Sequence, residues 1–76
     1  MKATIKTIKS QYSFVYKRAT PITYEIGPKK NEPFYFVEDT APEYVVAIPT
    51  VLRIMTKDDL RIVETRDSTY EIRKVK

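Results

Sequence analysis

Histidine, cysteine and tryptophan are absent from this 76-residue chain, and glycine occurs once, as Gly27. Each absence removes a class of chemistry. Without histidine there is no side chain whose ordinary pKa suits proton transfer near neutral pH. Without cysteine there is no thiolate nucleophile and no disulfide framework, and the joint loss of cysteine and histidine argues against a zinc site. One glycine cannot build a phosphate-cradling loop or a dinucleotide fingerprint. The sequence therefore leads us to expect a non-enzyme, with no catalytic residue, no metal ligand and no cofactor. No apolar run approaches the roughly 20 residues of a membrane helix, and the opening MKATIKTIKS lacks the continuous apolar stretch of a signal peptide. A cytoplasmic protein without a membrane partner is the expectation.

What is present points to β structure. Ile, Val, Thr, Tyr and Phe are abundant, whereas Leu occurs twice and Ala four times, a mixture that suits a pleated, half-buried surface. The length predicts one small β domain over residues 1–76. A chain this short buries only about 60% of its unfolded surface, and small domains without covalent staples often lean on association, so a homo-oligomer is expected. The net charge of +4 is common to nucleic-acid binders and to many ordinary small proteins.

Along the chain, KATIKTIK reads as a strand with a bulge between Ile5 and Ile8, whose parities differ. YSFVYK follows as a strand with Tyr12, Phe14 and Tyr16 on one face. A rival helical stripe through Ile5, Ile8, Tyr12 and Val15 leaves residues 3–16 open between strand and helix. TPITYEI alternates Ile22, Tyr24 and Ile26, with Pro21 suited to an edge or a strand start. GPKKNEP, residues 27–33, is the clearest loop. FYFVE is a strand with Phe34 and Phe36 on one side and Tyr35 and Val37 on the other. DTAPE, residues 39–43, reads as a turn, and the apolar run YVVAI as a buried central strand. VLRIMT is consistent with a helical turn or a strand, and strand is chosen because LRIVET pairs with it.

Register at the C-terminal end follows from which pairing gathers apolar residues. A turn at Asp67 and Ser68 places Glu64 opposite Glu71 and Ile62 opposite Arg73. A three-residue loop, Arg66 to Ser68, instead faces Ile62 with Ile72 and Glu64 with Tyr70. A three-residue loop from Lys57 to Asp59 likewise faces Ile54 with Ile62. The expected inner face of this three-stranded meander is Leu52, Ile54, Leu60, Ile62, Tyr70 and Ile72. Its outer face carries Arg53, Met55, Arg61, Val63, Glu71 and Arg73, with Arg61 directly opposite Arg73. Like charges so placed cost a few tenths of a kcal/mol or more. Solvation beside Glu71 explains them most simply, and an anionic partner explains them more sharply.

Other candidate contacts are weighed in the same way. Lys29 and Lys30, in the longest loop, suit phosphates, although a solubilising loop tip accounts for them. Lys17 and Arg18 follow the aromatic stripe and resemble the stacking and charge pattern of single-strand nucleic-acid binders; core packing of the aromatics is the plainer reading. Arg66 sits at the last turn. Asp58 and Asp59 are adequately explained by turn formation. Six tyrosines are too many for one small core, and exposed tyrosines are frequent interface anchors. Tyr35 and Tyr44 are the ones expected outside.

The stretch LRIVETRDSTYEI, residues 60–72, resembles a closing hairpin of small uncharacterised bacterial and phage proteins, in which a Thr-Arg-Asn-Ser turn precedes a Tyr-x-Ile or Tyr-x-Leu strand. Thr65, Arg66, Ser68, Tyr70 and Ile72 match, and Asp67 replaces the Asn. The likeness covers about a sixth of the chain; it implies a small β domain on a mobile element and transfers no functional residue. The expected fold is all-β, a small twisted sheet or an SH3-like or OB-like barrel of five to seven short antiparallel strands with a C-terminal meander. The leading functional expectation is a protein-binding module for a host or self protein, including a phage-encoded inhibitor or accessory protein. A nucleic-acid binding small barrel is the second expectation. The third is an oligomeric sponge that sequesters a nucleotide signal.

Overall fold

The computed structural model describes residues 1–11 and 16–75. Seven strands form one antiparallel sheet: β1 (Lys2–Ser10), β2 (Thr20–Thr23), β3 (Phe34–Glu38), β4 (Ala41–Ile48), β5 (Arg53–Lys57), β6 (Leu60–Glu64) and β7 (Ser68–Lys74). Their order is β4-β3-β2-β1-β7-β6-β5. The first strand is therefore central, paired with β2 on one side and β7 on the other. The sheet curls into a body of 27 × 26 × 21 Å but does not close into a barrel: β4 and β5 are its two edges.

β1 shows why residues 2–10 form a strand rather than a helix. Ala3, Ile5 and Thr7 are buried while Lys2 and Lys6 are exposed, a period of two. The expected bulge is there. Pairing with β7 runs through Thr7 and Tyr70, then resumes at Lys9 and Thr69, which skips Ile8 and leaves it exposed. Of the aromatic stripe expected next, residues 12–15 lie outside the described residues. Tyr16 is buried without belonging to a strand. Its carbonyl accepts from Thr7 N (2.8 Å), and its own N–H donates to the buried Thr7 Oγ1 (3.3 Å).

The concave side holds the core. Ala3, Ile5, Ile22, Phe34, Phe36, Ile48, Val63 and Ile72 come from strands, with Tyr16, Tyr24 and Val51 added from the connections. Tyr24 meets Phe34 edge-on with centroids 5.4 Å apart, and Phe34 lies 5.4 Å from Phe36. Such tilted pairs stabilise by about 0.5–1.5 kcal/mol beyond their buried area. One end is capped by the 27–33 loop. Asn31 N donates to Val51 O (2.7 Å) and Val51 N to Glu32 O (2.9 Å). Asn31 takes φ 69°, a left-handed conformation that Asn tolerates better than most residues.

Several expectations are corrected. DTAPE is not all turn: Asp39 and Thr40 turn the chain, and Ala41 already begins β4. YVVAI is not a central strand. It belongs to the edge strand β4, where Tyr44 and Val45 are exposed and only Ile48 is buried. Both C-terminal hairpins are tighter than expected. Thr65 N donates to Ser68 O (2.8 Å), and Ser68 N to Thr65 Oγ1 (3.2 Å), so the turn is Arg66–Asp67 and Ile62 faces Glu71 rather than Ile72. In the other hairpin Lys57 faces Leu60. Its turn is Asp58–Asp59, with Asp58 at φ 53°, again a residue that accepts that conformation. Both errors are slips of one residue, and they leave β5 and β7 facing as expected while β6 is inverted. Arg61 and Val63 point inward, Leu60 and Ile62 outward. Leu52 precedes β5 and is exposed.

Candidate functional site

The convex face is divided in character between the two halves of the sheet. Across β5, β6, β7 and β1 the paired residues read Arg53, Glu64, Thr69, Lys9 in one row, Met55, Ile62, Glu71, Lys6 in the next, and Lys57, Leu60, Arg73, Thr4 in the third. Cations and carboxylates interleave. Arg53 lies 3.9 Å from Glu64 and Arg73 lies 3.5 Å from Glu71. Exposed pairs of this kind add little stability; they offset the two arginines, while the rows as a whole carry five cations, Arg53, Lys9, Lys6, Lys57 and Arg73, against the two carboxylates Glu64 and Glu71.

The expected facing of Arg61 and Arg73 does not occur. Arg61 faces Ile72 and Arg73 faces Leu60, so the two guanidinium groups leave opposite sides of the sheet. Arg61 instead crosses from β6 to the loop after β2. A Cβ at position 27 would lie 2.7 Å from Arg61 Nη1 and 3.7 Å from the Tyr24 ring. The only glycine of the chain is thus where an arginine passes close over the main chain. Arg66 is exposed at the β6–β7 turn, Lys17 and Arg18 lie exposed before β2, and Lys29 and Lys30 lie exposed on the 27–33 loop. The ten candidates therefore belong to separate places: three arginines on the sheet, Arg53 and Arg73 outward and Arg61 inward, three loops, and the tyrosines of β3 and β4.

The other half of the convex face is apolar. On β3 and β4, Tyr35 faces Ala47 and Val37 faces Val45. Tyr44, beside the β4 bulge, is 68% exposed without a partner on β3, whereas Tyr35 (56% exposed) and Val45 (69%) stand on this face. This surface runs into an open groove of about 730 Å³, whose walls include Ile26, Pro33, Tyr35, Val37 and Val45 and whose polar rim includes Glu25, Lys29 and Glu32. Tyr35 and Tyr44 stand outside, as their positions in the sequence suggested. Ile26 and Val45 were missed, because alternation placed Ile26 in a strand and the run YVVAI looked buried. Pro42 and Pro49 were the signal: prolines bracketing a strand fit an edge.

Two titratable groups depart from their ordinary values. Asp39 is held below the usual aspartate pKa of 3.8, first by the Thr23 hydroxyl, which donates to Asp39 Oδ1 at 2.7 Å, and then by Lys2 at 3.3 Å. These contacts tie β1 and β2 to the β3–β4 turn. Tyr16 is pushed from 10.0 up to about 12, by burial first and then by the charges of Glu38 and Tyr70. An unfolded phenol ionises near 10 while the folded one resists, so the native state keeps more protons above that pH and loses stability as pH rises from 10 towards 12. Tyr16→Phe removes this loss. Melting curves of the two proteins should diverge in favour of the variant over that interval, by on the order of 1–2 kcal/mol; parallel curves would mean that water reaches the hydroxyl freely.

Asp58 and Asp59 are accounted for by the β5–β6 turn they form, and among the described residues no group of three or more acidic side chains is placed to hold a metal ion. The chain matches no family profile, no curated protein and no solved structure.

Proposed function

We propose that this protein is a non-enzymatic protein-binding module whose contact surface is the convex side of β3 and β4 with the adjoining groove. One observation carries the reading: the exposed apolar residues Ile26, Tyr35 and Val45 gather around an open groove. Large aromatic and aliphatic groups around a concavity with a polar rim are the usual anchors of a protein contact. Nucleic acid is the second reading: phosphate contacts would draw on the cations of β1 and β5 to β7, of which Arg53 and Arg73 each have a carboxylate within 4 Å.

Capture from a host lysate tests this. The wild-type chain should retain a specific protein, and Ile26→Lys combined with Tyr35→Lys should reduce retention at least about tenfold, the effect of losing about 1.4 kcal/mol of binding. Both substituted residues are exposed, so the melting temperature should change little. Equal retention by the two proteins, or none by either, would remove the proposal.

A further inference from the structure

The geometry points to a second contact surface on the other half of the convex face: the outer side of β1, β5, β6 and β7 lies against the phosphate strands of a B-form DNA duplex. The inference takes up the nucleic-acid reading, fixes its surface and the form of the partner, and does not draw on the groove.

The cations of this half stand at its flanks. Arg53 and Lys57 rise from β5, and Lys9 and Lys6 from β1, with Arg73 of β7 beside Thr4 at the end of the β1 column. The columns of β5 and β1 are three strand spacings apart, about 14 Å. The major groove of B-DNA is about 12 Å wide, so the two columns reach the phosphate strands on its two sides. Glu64 and Glu71 belong to β6 and β7, between the columns, and come to lie over the groove rather than over the phosphates. The cations are free to make this contact. Among the described residues Lys6, Lys9 and Lys57 have no carboxylate partner, and all three are exposed. Arg53 meets Glu64 through Nε, and Arg73 meets Glu71 through Nη2. A guanidinium is a fork of several N–H donors, so each arginine keeps donors for a phosphate oxygen.

The remainder of the face decides which anion fits. Between the cations stand Met55, Ile62, Leu60, Thr69 and Thr4, and no aromatic ring among the described residues. Unpaired bases bind by stacking on aromatic side chains; their absence leaves the outside of a duplex. A membrane surface calls for apolar groups that reach into the lipid, whereas Leu60 and Ile62 are half-buried and only Met55 of this set is exposed. Lysine contacts to phosphate carry no sequence information, so the binding is independent of base sequence.

Fluorescence anisotropy of the full chain with a labelled DNA duplex, and with one of its strands alone, tests the proposal. The duplex should bind more tightly than the single strand. With five phosphate contacts its affinity should fall about 500-fold between about 50 mM and 200 mM salt, a slope near about −4.5 in log affinity against log salt. Lys6→Gln, Lys9→Gln and Lys57→Gln together should flatten the slope to about −2 and weaken binding at low salt at least about tenfold. Lys17→Gln, Lys29→Gln and Lys30→Gln together remove the same charge from exposed loops and should leave the slope of the wild type. All six lysines are exposed, so both triple variants should melt as the wild type does. Equal losses in the two triple variants would overturn the proposal, because binding would then follow net charge alone. So would tighter binding of the single strand, no binding of the duplex at low salt, or retention on phosphatidylserine vesicles with none on the duplex. Ile26 and Tyr35 are no part of this face, so lysate capture and duplex binding succeed or fail separately.

Discussion

Val63→Lys is expected to unfold the protein at room temperature, whereas Ile62→Lys, one position away, should leave it folded. Val63 has no exposed surface and faces Ile54 and Tyr70 on the concave side. A lysine there must either bury an ammonium without a designed partner or force the sheet open, at a cost above about 4 kcal/mol. A chain of 76 residues has only about 4–11 kcal/mol to lose. Ile62 points outward between Met55 and Glu71. Its replacement can lay the methylene stem over its neighbours and bring the ammonium to the Glu71 carboxylate, so the change should stay within about 1 kcal/mol. Urea unfolding followed by circular dichroism reads both. If Ile62→Lys were the destructive variant, β6 would have to be turned over, in the register that pairs Ile62 with Ile72.

Phe34→Ala should cost about 3–5 kcal/mol, enough to lower the melting temperature by roughly 12–40 °C in a domain of this size. Phe34 is the largest of the fully buried side chains and sits between Tyr24 and Phe36, each 5.4 Å away. The cavity would open where the core meets the capped end, held by main-chain bonds from Val51 to Asn31 and Glu32. Those bonds limit how far the walls can collapse, which places the loss towards the upper part of the range. Tyr35→Ala is the matched control, adjacent in sequence but on the convex side and exposed. It should shift stability by less than about 1 kcal/mol. Comparable losses in both variants would contradict the alternation of β3.

The strands themselves were legible because each depends on neighbours in sequence. The alternation of Phe34, Tyr35, Phe36 and Val37, the bulge between Ile5 and Ile8, the 27–33 loop and the exposure of Tyr35 all follow from a two-residue period and its interruptions. Register was not legible by counting apolar matches. Facing Ile62 with Ile72 satisfied that count, yet Thr65 and Ser68 close a tighter turn with bonds from main chain and hydroxyl together. Ser68 is also tied to Ser10 of β1, Oγ to Oγ at 3.1 Å. The turn and the neighbouring strand decide the register, and one residue of slip turns a strand over. The loss of the Arg61 and Arg73 pair is a direct consequence.

Composition and periodicity alone determined that this chain is a small all-β protein lacking histidine, cysteine and a glycine-rich loop, with more tyrosine than its interior can hold. Tertiary structure decided what lies beside what. A strand as apolar as β4 reads the same in one dimension whether it is flanked on both sides or on one. Only the order β4-β3-β2-β1-β7-β6-β5 shows that, among the described residues, one side has no strand beside it. That asymmetry arises because the chain leaves β4 through Pro49 and Val51 to build β5 against β6 on the far side of the sheet. Hydrogen bonding between strands distant in sequence, rather than any local preference, thus exposes Tyr44 and Val45 and creates the surface on which the proposed function stands.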